Sequence, residues 1–207
     1  MKNRLNVGFD CDDILVPFVH PFLEYYNGMY GTDFRLEDVW TYDISKVFGI
    51  TVGTLKDRIA NFVSTDMFRN LPPFEGAVKG IEKLANDGHK LYVISNRRND
   101  LRDFTQDYMK RHFPDKFTDI HLTNWAALTG QKTTKCQAVE NYGIEVFVED
   151  CFEMSEEIAE KGKKVIMLNY PWNSRQTIRP DLQDRIYRKH SWEGIVGKID
   201  ELSCSGN

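Results

Sequence analysis

The stretch "VGFDCDDILV", residues 7–16, decides the fold. Its apolar first half has the composition of a short buried strand. Three carboxylates, Asp10, Asp12 and Asp13, follow within four positions. At ~4 Å and an effective dielectric constant of about 20, each pair of like charges costs on the order of 4 kcal/mol. We therefore expect the end of this strand to face a compensating cation.

Composition limits the class of protein. The 207 residues are 41% hydrophobic and 28% charged, which is typical of a globular chain with one core, or a core and a small accessory domain. The net charge of −4 disfavours binding to a nucleic-acid polymer. The four cysteines include no CxxC pair, so we interpret them as reduced thiols, although their even number leaves disulfides open. Neither a signal peptide nor an apolar run of ~20 residues is seen, which predicts a cytoplasmic protein without membrane contact.

Short apolar runs alternate with helical patterns along most of the chain. The predicted strands are Leu5–Phe9, Leu91–Ile94, Ile120–Leu122, Val146–Val148 and Val165–Leu168. The predicted helices are "EGAVKGIEKLANDG" from residue 75, "SEEIAEKG" with Ser155 as its N-cap, and the closing "SWEGIVGKIDEL" from residue 191. This alternation predicts an α/β fold with a doubly wound, Rossmann-like parallel sheet, in which ligands bind beyond the carboxyl ends of the strands.

Residues 17–74 interrupt the alternation with a helical, aromatic stretch. We predict an α/β core domain from residues 1–16 and 75–207, and a small inserted helical cap domain from residues 17–74. Most of the aromatic side chains are expected to fill the core of the cap, while a few contact a substrate. The candidates for substrate contact are Phe18, Trp40 and Tyr42.

Polar side chains also follow the other predicted strands. They are Ser95, Asn96 and Arg97 after the second strand, and Glu149 and Asp150 after the fourth. Lys132 and Lys135 lie in a helical pattern before the fourth strand. Because the carboxyl ends of parallel strands share one edge of a sheet, these groups should meet. Carboxylates beside a lysine suit Mg²⁺ together with a phosphate group.

The order and spacing of these residues resemble the four motifs of the haloacid dehalogenase-like (HAD) superfamily of phosphohydrolases. The motifs are "DCDD" at residues 10–13, Ser95, Lys135, and "ED" at residues 149–150. The insert after the first strand lies where that superfamily carries its C1-type cap. The resemblance therefore covers most of the chain.

A narrower resemblance is to the cytosolic 5′(3′)-deoxyribonucleotidase type and its bacterial relatives. It is carried by "GIEVFVED", by "VIMLNYPWN" with Pro171-Trp172-Asn173, and by the closing helix. The chain departs from the common pattern at Asp13, where Gly is usual, at Ile14, and at "SNRR" after the second strand. These departures leave the metal and nucleophile set intact and leave substrate specificity open.

The resemblance implies a role for each motif residue. Asp10 is the nucleophile and a Mg²⁺ ligand, and Asp12 is the general acid and base whose backbone carbonyl also reaches the metal. Ser95 and Lys135 bind the transferring phosphoryl group, with Lys132 as the alternative lysine. Asp150 is the second metal-binding carboxylate.

Three further site residues are open in their exact roles. Glu149 is expected to bind the metal directly or through water. Asn96 and Arg97 are expected to reach the phosphate or the leaving group, or to be solvated turn residues.

The function that follows is a Mg²⁺-dependent phosphomonoesterase that hydrolyses a nucleoside monophosphate, at the 5′ or 3′ position, through an aspartyl-phosphate. The alternatives are another small phosphate ester such as a sugar phosphate, nucleic-acid ends, a phosphotransferase, or a non-catalytic nucleotide-binding module. A receiver-like signalling module is disfavoured, because its βα loops leave no room for the long insert. The expected partner is a small-molecule phosphate monoester, and a homodimer is left open.

Overall fold

The computed structural model describes residues 2–124 and 130–204 and contains a six-stranded sheet. Its strands are β1 (Asn6–Phe9), β2 (Lys90–Ser95), β3 (Asp119–Leu122), β4 (Val146–Glu149), β5 (Lys164–Leu168) and β6 (Ile186–Lys189). The strand order is β3-β2-β1-β4-β5-β6 and every pair is parallel. The predicted α/β fold class is therefore confirmed.

Helices connect the strands and fill the insert. Four of them lie within residues 17–74: α1 (Val19–Tyr30), α2 (Ile44–Phe48), α3 (Val52–Val63) and α4 (Asp66–Arg69). The others are α5 (Ala77–Asn86), α6 (Arg102–His112), α7 (Lys135–Asn141), α8 (Phe152–Glu160), α9 (Pro171–Ser174) and α10 (Trp192–Cys204). No helix in these described ranges is long and apolar enough to cross a membrane. All four cysteines are free.

The sheet is covered on both faces. Along β2, Leu91 and Val93 join a buried cluster with side chains of α5 and α10. The alternate residues, Tyr92 and Ile94, join a second cluster with side chains of α7 and α8. Because successive strand side chains point to opposite faces, this alternation shows a doubly wound sheet.

The reversal of strand order positions the functional site. Strands β1 to β3 are added in one direction from β1, and β4 to β6 in the other. Adjacent loops therefore turn away from each other at the carboxyl ends of β1 and β4, which opens a crevice there. The acidic residues that follow these two strands lie at this crevice.

Aromatic side chains form the interior of the helical insert. The ring of Phe62 lies 5.4 Å from the rings of both Phe22 and Phe68, and Tyr26 stacks on Phe48 at 3.9 Å. These and further ring contacts pack nine of the twelve aromatic side chains of residues 17–74 against one another, and rings packed this closely supply large apolar area. The division of the chain into core and cap domains stays a prediction.

Trp192 fixes the loop that leaves β1. Its ring stacks on Phe9 at 5.8 Å, and its Nε1 donates to the carbonyl of Ile14 at 3.0 Å. A Cβ on Gly80 of α5 would lie 2.5 Å from this ring, so only glycine permits the close approach of the helix. The indole thus holds both ends of the segment that carries the acidic motif.

One sequence prediction was wrong, and one strand was not predicted. Ser155 is not an N-cap, because α8 begins at Phe152 and the hydroxyl of Ser155 donates within the helix to the carbonyl of Cys151 at 2.8 Å. Strand β6 was missed because "IYRK" has only one fully buried side chain, as expected of an edge strand.

Candidate active site

Asp10 lies at the end of β1, which pairs with β2 on one side and with β4 on the other. Its backbone N–H donates to the carbonyl of Val148 at 2.9 Å, and its side chain is buried. Lys135 Nζ lies 3.1 Å from Asp10 Oδ2 and 2.9 Å from Glu149 Oε2. The buried ammonium group therefore links the acidic residues of β1 and β4.

The first turn of α7 delivers this lysine. Thr134 caps the helix by accepting from the N–H of Gln137, which leaves Lys135 as the first helical residue. Lys135 is almost fully buried, whereas Lys132 is exposed and precedes the helix instead of lying in it. The structure thus brings Lys135, and not Lys132, to the acidic residues.

Three buried carboxylates converge beside this lysine. Oxygens of Asp10, Glu149 and Asp150 all lie within 4.8 Å of one another, and Asp10 Oδ1 has no hydrogen-bond partner. Burial, opposed by Lys135 and reinforced by the neighbouring Glu149 and Asp12 charges, raises the pKa of Asp10 above its usual value. Burial, followed by the charges of Glu149 and Asp10, also raises the pKa of Asp150. These hard oxygen donors and their excess negative charge fit a divalent cation such as Mg²⁺.

The three carboxylates are not equally free to bind a cation. Glu149 Oε1 accepts from the N–H groups of Asp150 and Cys151 at 3.3 and 3.2 Å, and Oε2 accepts from Lys135. Both oxygens of Glu149 are therefore used within the protein. The unpartnered Oδ1 of Asp10 and the carboxylate of Asp150 are better placed to accept a metal ion.

The Pro-Trp-Asn segment of α9 orients Asp150. Trp172 Nε1 lies 3.1 Å from both the backbone carbonyl and Oδ2 of Asp150, and Asn173 Nδ2 donates to the same carbonyl at 2.7 Å. Tyr170 stacks on Trp172 with ring centroids 4.2 Å apart. The motif that suggested the narrower resemblance thus supports an acidic residue of the site.

Asp12 is paired with Arg97. Arg97 Nη2 lies 2.6 Å from Asp12 Oδ1, and Nε lies 3.1 Å from Oδ2, so the contact is bidentate. The Arg97 side chain is 3% exposed, and that of Asp12 is 28% exposed and lines the cavity described below. Asp12 therefore presents its carboxylate to the cavity while a buried guanidinium holds it from behind.

Asp13 has a different position from its two acidic neighbours. It adopts a left-handed backbone with φ of 56°, and its carboxylate accepts from the N–H groups of Phe18 and Val19 at 2.9 and 3.1 Å. Its carbonyl accepts from the hydroxyl of Tyr170 at 2.8 Å. Asp13 thus stabilises the turn and the start of α1.

The residues after β2 also reach the site. Ser95 is buried at the end of the strand, and its hydroxyl accepts from the N–H of Arg97 at 3.3 Å. Asn96 Oδ1 accepts from the hydroxyl of Thr123 at 2.9 Å. Both Ser95 and Asn96 line the same cavity as Asp10 and Asp12, which places them within one site.

A cavity of about 520 Å³ extends from these residues into the helical insert. Phe18 and Tyr42 line it, whereas Trp40 is 54% exposed and is not among the described residues of the lining. Aliphatic side chains form much of the wall on the insert side. They are Val39, Ile44, Val52, Leu55, Ile59 and Val63.

Cations are scarce around this cavity. In the lining drawn from residues 2–124 and 130–204, Arg97 and Arg98 are the only basic side chains. Arg97 is already paired with Asp12, and Arg98 is paired with Asp100. The wall contributed by residues 17–74 is therefore uncharged apart from Asp43.

Sequence reasoning named the motif residues but missed Thr105, which supports one of them. Thr105 accepts from Arg97 Nη1 at 3.1 Å, and no sequence signal marks it. Trp172 was noticed only through its motif, and the contact with Asp150 could not be read from spacing.

The acidic ends of β1 and β4, which meet where the strand order reverses, define the class of protein as a haloacid dehalogenase-type phosphohydrolase. The family described as "5' nucleotidase, deoxy (Pyrimidine), cytosolic type C protein" matches residues 3–201. The chain belongs to this family and is a hydrolase of phosphoric monoesters.

Individual relatives agree with this assignment. The chain is 27% identical over 189 residues to the protein named "Putative nucleotidase YqfW" of Bacillus subtilis, with 91% of this chain and 90% of the relative covered. Solved structures also share the fold, and two of them illustrate the match. A "putative phosphoglycolate phosphatase" from Lactobacillus delbrueckii has a TM-score of 0.64 at 19% identity, covering 96% of this chain and 99% of that chain. A HAD family hydrolase from Deinococcus radiodurans, with bound phosphate and sodium, has a TM-score of 0.59 at 15% identity, covering 92% and 93%.

Proposed function

We propose that this protein is a Mg²⁺-dependent nucleotidase that hydrolyses nucleoside monophosphates through a phosphoryl group carried on Asp10. The observation that carries the proposal is the buried contact of Asp10 with Lys135 beside an unpartnered Asp10 oxygen. One oxygen of this carboxylate, Oδ2, is paired with the ammonium group of Lys135, and the other, Oδ1, has no hydrogen-bond partner. That is the arrangement needed by a nucleophile that attacks an anionic phosphate ester.

The reaction divides between two carboxyl groups. A carboxylate oxygen of Asp10 attacks phosphorus, the bond from phosphorus to the ester oxygen breaks, and the leaving oxygen takes a proton from Asp12. Water then attacks the same phosphorus and gives a proton to Asp12, while the bond from phosphorus to Asp10 breaks. Phosphate is released and both residues return to their starting states.

Other side chains stabilise the charge that moves during these steps. Lys135 offsets negative charge on the phosphoryl oxygens, and the Ser95 hydroxyl donates a hydrogen bond to them. Asp10 and Asp150 would hold Mg²⁺, with Glu149 supporting Lys135 and the turn after β4. When bound, the metal supplies positive charge against the phosphoryl oxygens and offsets repulsion between the carboxylates.

The cavity wall supports a leaving group without charge. A second carboxylate or phosphate on the substrate would need a cation to balance it when desolvated, and the described wall of the insert offers none. A nucleoside is neutral and has an apolar ring face that suits aliphatic side chains and the rings of Phe18 and Tyr42. This favours nucleoside monophosphates over phosphoglycolate, the substrate class in the name of one structural neighbour.

A phosphate-release screen tests the proposal. The substrates are ribo- and deoxynucleoside 5′- and 3′-monophosphates, sugar phosphates and phosphoglycolate, each with Mg²⁺ and with excess chelator. We expect the highest kcat/KM on a nucleoside monophosphate, loss of turnover in chelator, and much weaker turnover of phosphoglycolate. Equal, weak release from every ester, or preference for the doubly anionic phosphoglycolate, would contradict it.

A further inference from the structure

Arg97 combines features that a solvated turn residue does not have. Its side chain is 3% exposed, and all three of its guanidinium nitrogens are engaged by protein groups. Nε and Nη2 donate to Asp12, and Nη1 donates to Thr105 at 3.1 Å. Because a bidentate contact fixes two atoms at once, it sets the direction of the carboxylate as well as its position.

The guanidinium is itself held in place by the core and by the helical insert. The Thr105 hydroxyl that accepts from Arg97 donates to the carbonyl of Leu101 at 2.7 Å. The Arg97 Cζ atom lies 5.5 Å from the ring centre of Phe68 in α4 and 5.8 Å from that of Phe104 in α6. Arg97 therefore lies between the insert and the core and directly behind Asp12.

We infer that Arg97 is a positioning residue that aims Asp12 at the oxygen of the leaving group. This inference rests on the proposed function, and it gives Arg97 a role different from binding the substrate's phosphate. Asp12 and Thr105 take three of the five N–H donors of the guanidinium, including the Nε–Nη2 pair that a bidentate contact along that edge would use, and the side chain is only 3% exposed to a ligand in the cavity. Its contribution then reaches the reaction only through proton transfer by Asp12.

The consequence is a dependence on the leaving group. A nucleoside alkoxide must receive a proton as it departs, whereas 2,4-dinitrophenolate departs without one. The parameter kcat/KM reports the steps up to departure of the leaving group. Replacing a residue that acts through Asp12 should therefore lower kcat/KM for the nucleoside monophosphate and leave kcat/KM for the dinitrophenyl ester nearly unchanged.

The experiment compares Arg97→Lys and Arg97→Gln with wild type and with Asp12→Asn. Each is assayed on a nucleoside monophosphate and on 2,4-dinitrophenyl phosphate. Lysine keeps the positive charge but lacks the pair of N–H donors that contacts both oxygens of Asp12. We therefore expect a loss of about 10- to 100-fold in kcat/KM on the nucleotide, within the range that general acid catalysis supplies. We expect a change below about threefold on the aryl phosphate. Adding Arg97→Lys to Asp12→Asn should lower nucleotide turnover no further.

Each contrary result has a distinct meaning. Equal losses on both substrates in Arg97→Lys would overturn the positioning role and favour phosphate binding or a structural role. A further loss on top of Asp12→Asn would overturn it as well. If wild type releases no phosphate from either ester, the proposed function fails and this assignment fails with it. Arg111→Gln, an exposed change on α6, is the control and should match wild type on both substrates.

Discussion

Lys135 Nζ lies 3.1 Å from Asp10 Oδ2, although the two residues come from different strand–helix units of the sheet. The same nitrogen contacts Glu149, so one buried cation faces two buried carboxylates. The opposite charges strengthen the contacts of Lys135 with the two carboxylates. The cluster also depends on this one cation, because without it both buried carboxylates would lose their counter-charge.

Lys135→Met should lower kcat by about 10²–10³-fold, as loss of one group that stabilises transition-state charge does in other enzymes. The same change should lower the free energy of unfolding by about 3 kcal/mol, because two buried carboxylates lose their counter-charge. Phosphate release and urea denaturation measure the two effects. Lys132→Met is the matched control, and a similar loss in that variant would show that Lys132 serves the phosphoryl group.

Trp172→Phe should weaken metal binding by about 10- to 100-fold, the usual effect of losing a hydrogen bond that orients a ligand. Phenylalanine keeps an aromatic ring against Tyr170 but removes the donor to Asp150. Calorimetric titration with Mn²⁺ measures the affinity without any need for turnover. An unchanged affinity in a folded variant would show that the indole N–H does not support the metal site.

Asp13→Asn should be nearly neutral, whereas Asp13→Ala should cost about 1–2 kcal/mol of unfolding free energy. Asparagine can still accept from Phe18 and Val19 and tolerates the left-handed backbone, while alanine does neither. Burial raises the pKa of Asp13 to about 7, so loss of its negative charge is a small change at neutral pH. Thermal melts of the two variants check this, and equal destabilisation would contradict the capping role.

Asp87 supplies a prediction for acid stability, away from the active site. Lys83 and Lys2 donate to its carboxylate and lower its pKa to about 2. The pKa of Asp87 in the folded protein lies below its unfolded value of about 3.9. The contribution of this carboxylate to the free energy of unfolding is therefore complete above about pH 5 and is lost as the pH falls toward 2. Asp87→Asn should cost about 1 kcal/mol at pH 7, after allowance for solvent screening.

The pH profile of unfolding provides the check for Asp87. The difference between Asp87→Asn and wild type should shrink between about pH 4 and pH 2. Asp184→Asn is the control, because this carboxylate is 75% exposed and reaches its lysine only at 4.0 Å, so its effect should stay within about 0.5 kcal/mol. A difference that persists undiminished at pH 2 would contradict the linkage.

The sequence predicted the parallel sheet and the convergence of the motif residues because both follow from local patterns. Apolar runs ending in acidic residues identify strands such as β1 and β4, and parallel strands bring those ends to one edge. The edge strand β6 escaped because its burial is incomplete. The ion pair between Arg97 and Asp12 could not be predicted for a different reason. It depends on how the turn after β2 packs against Phe68 and Phe104.

The sequence also did not predict which aromatic side chains of the insert point into the cavity. Both Phe18 and Trp40 are aromatic residues of the insert, yet the first lines the cavity and the second is exposed. The difference depends on tertiary packing of the insert, which no periodicity in this short stretch encodes.

The central claim is that Asp10 carries the phosphoryl group. Its most direct test is acid quenching during turnover of a nucleoside monophosphate with Mg²⁺, followed by borohydride reduction, which converts an aspartyl-phosphate into homoserine. Mass spectrometry should then find homoserine at residue 10 in wild type and none in Asp10→Asn, which should also release no phosphate. Homoserine at a different aspartate, or full turnover by Asp10→Asn, would contradict the account.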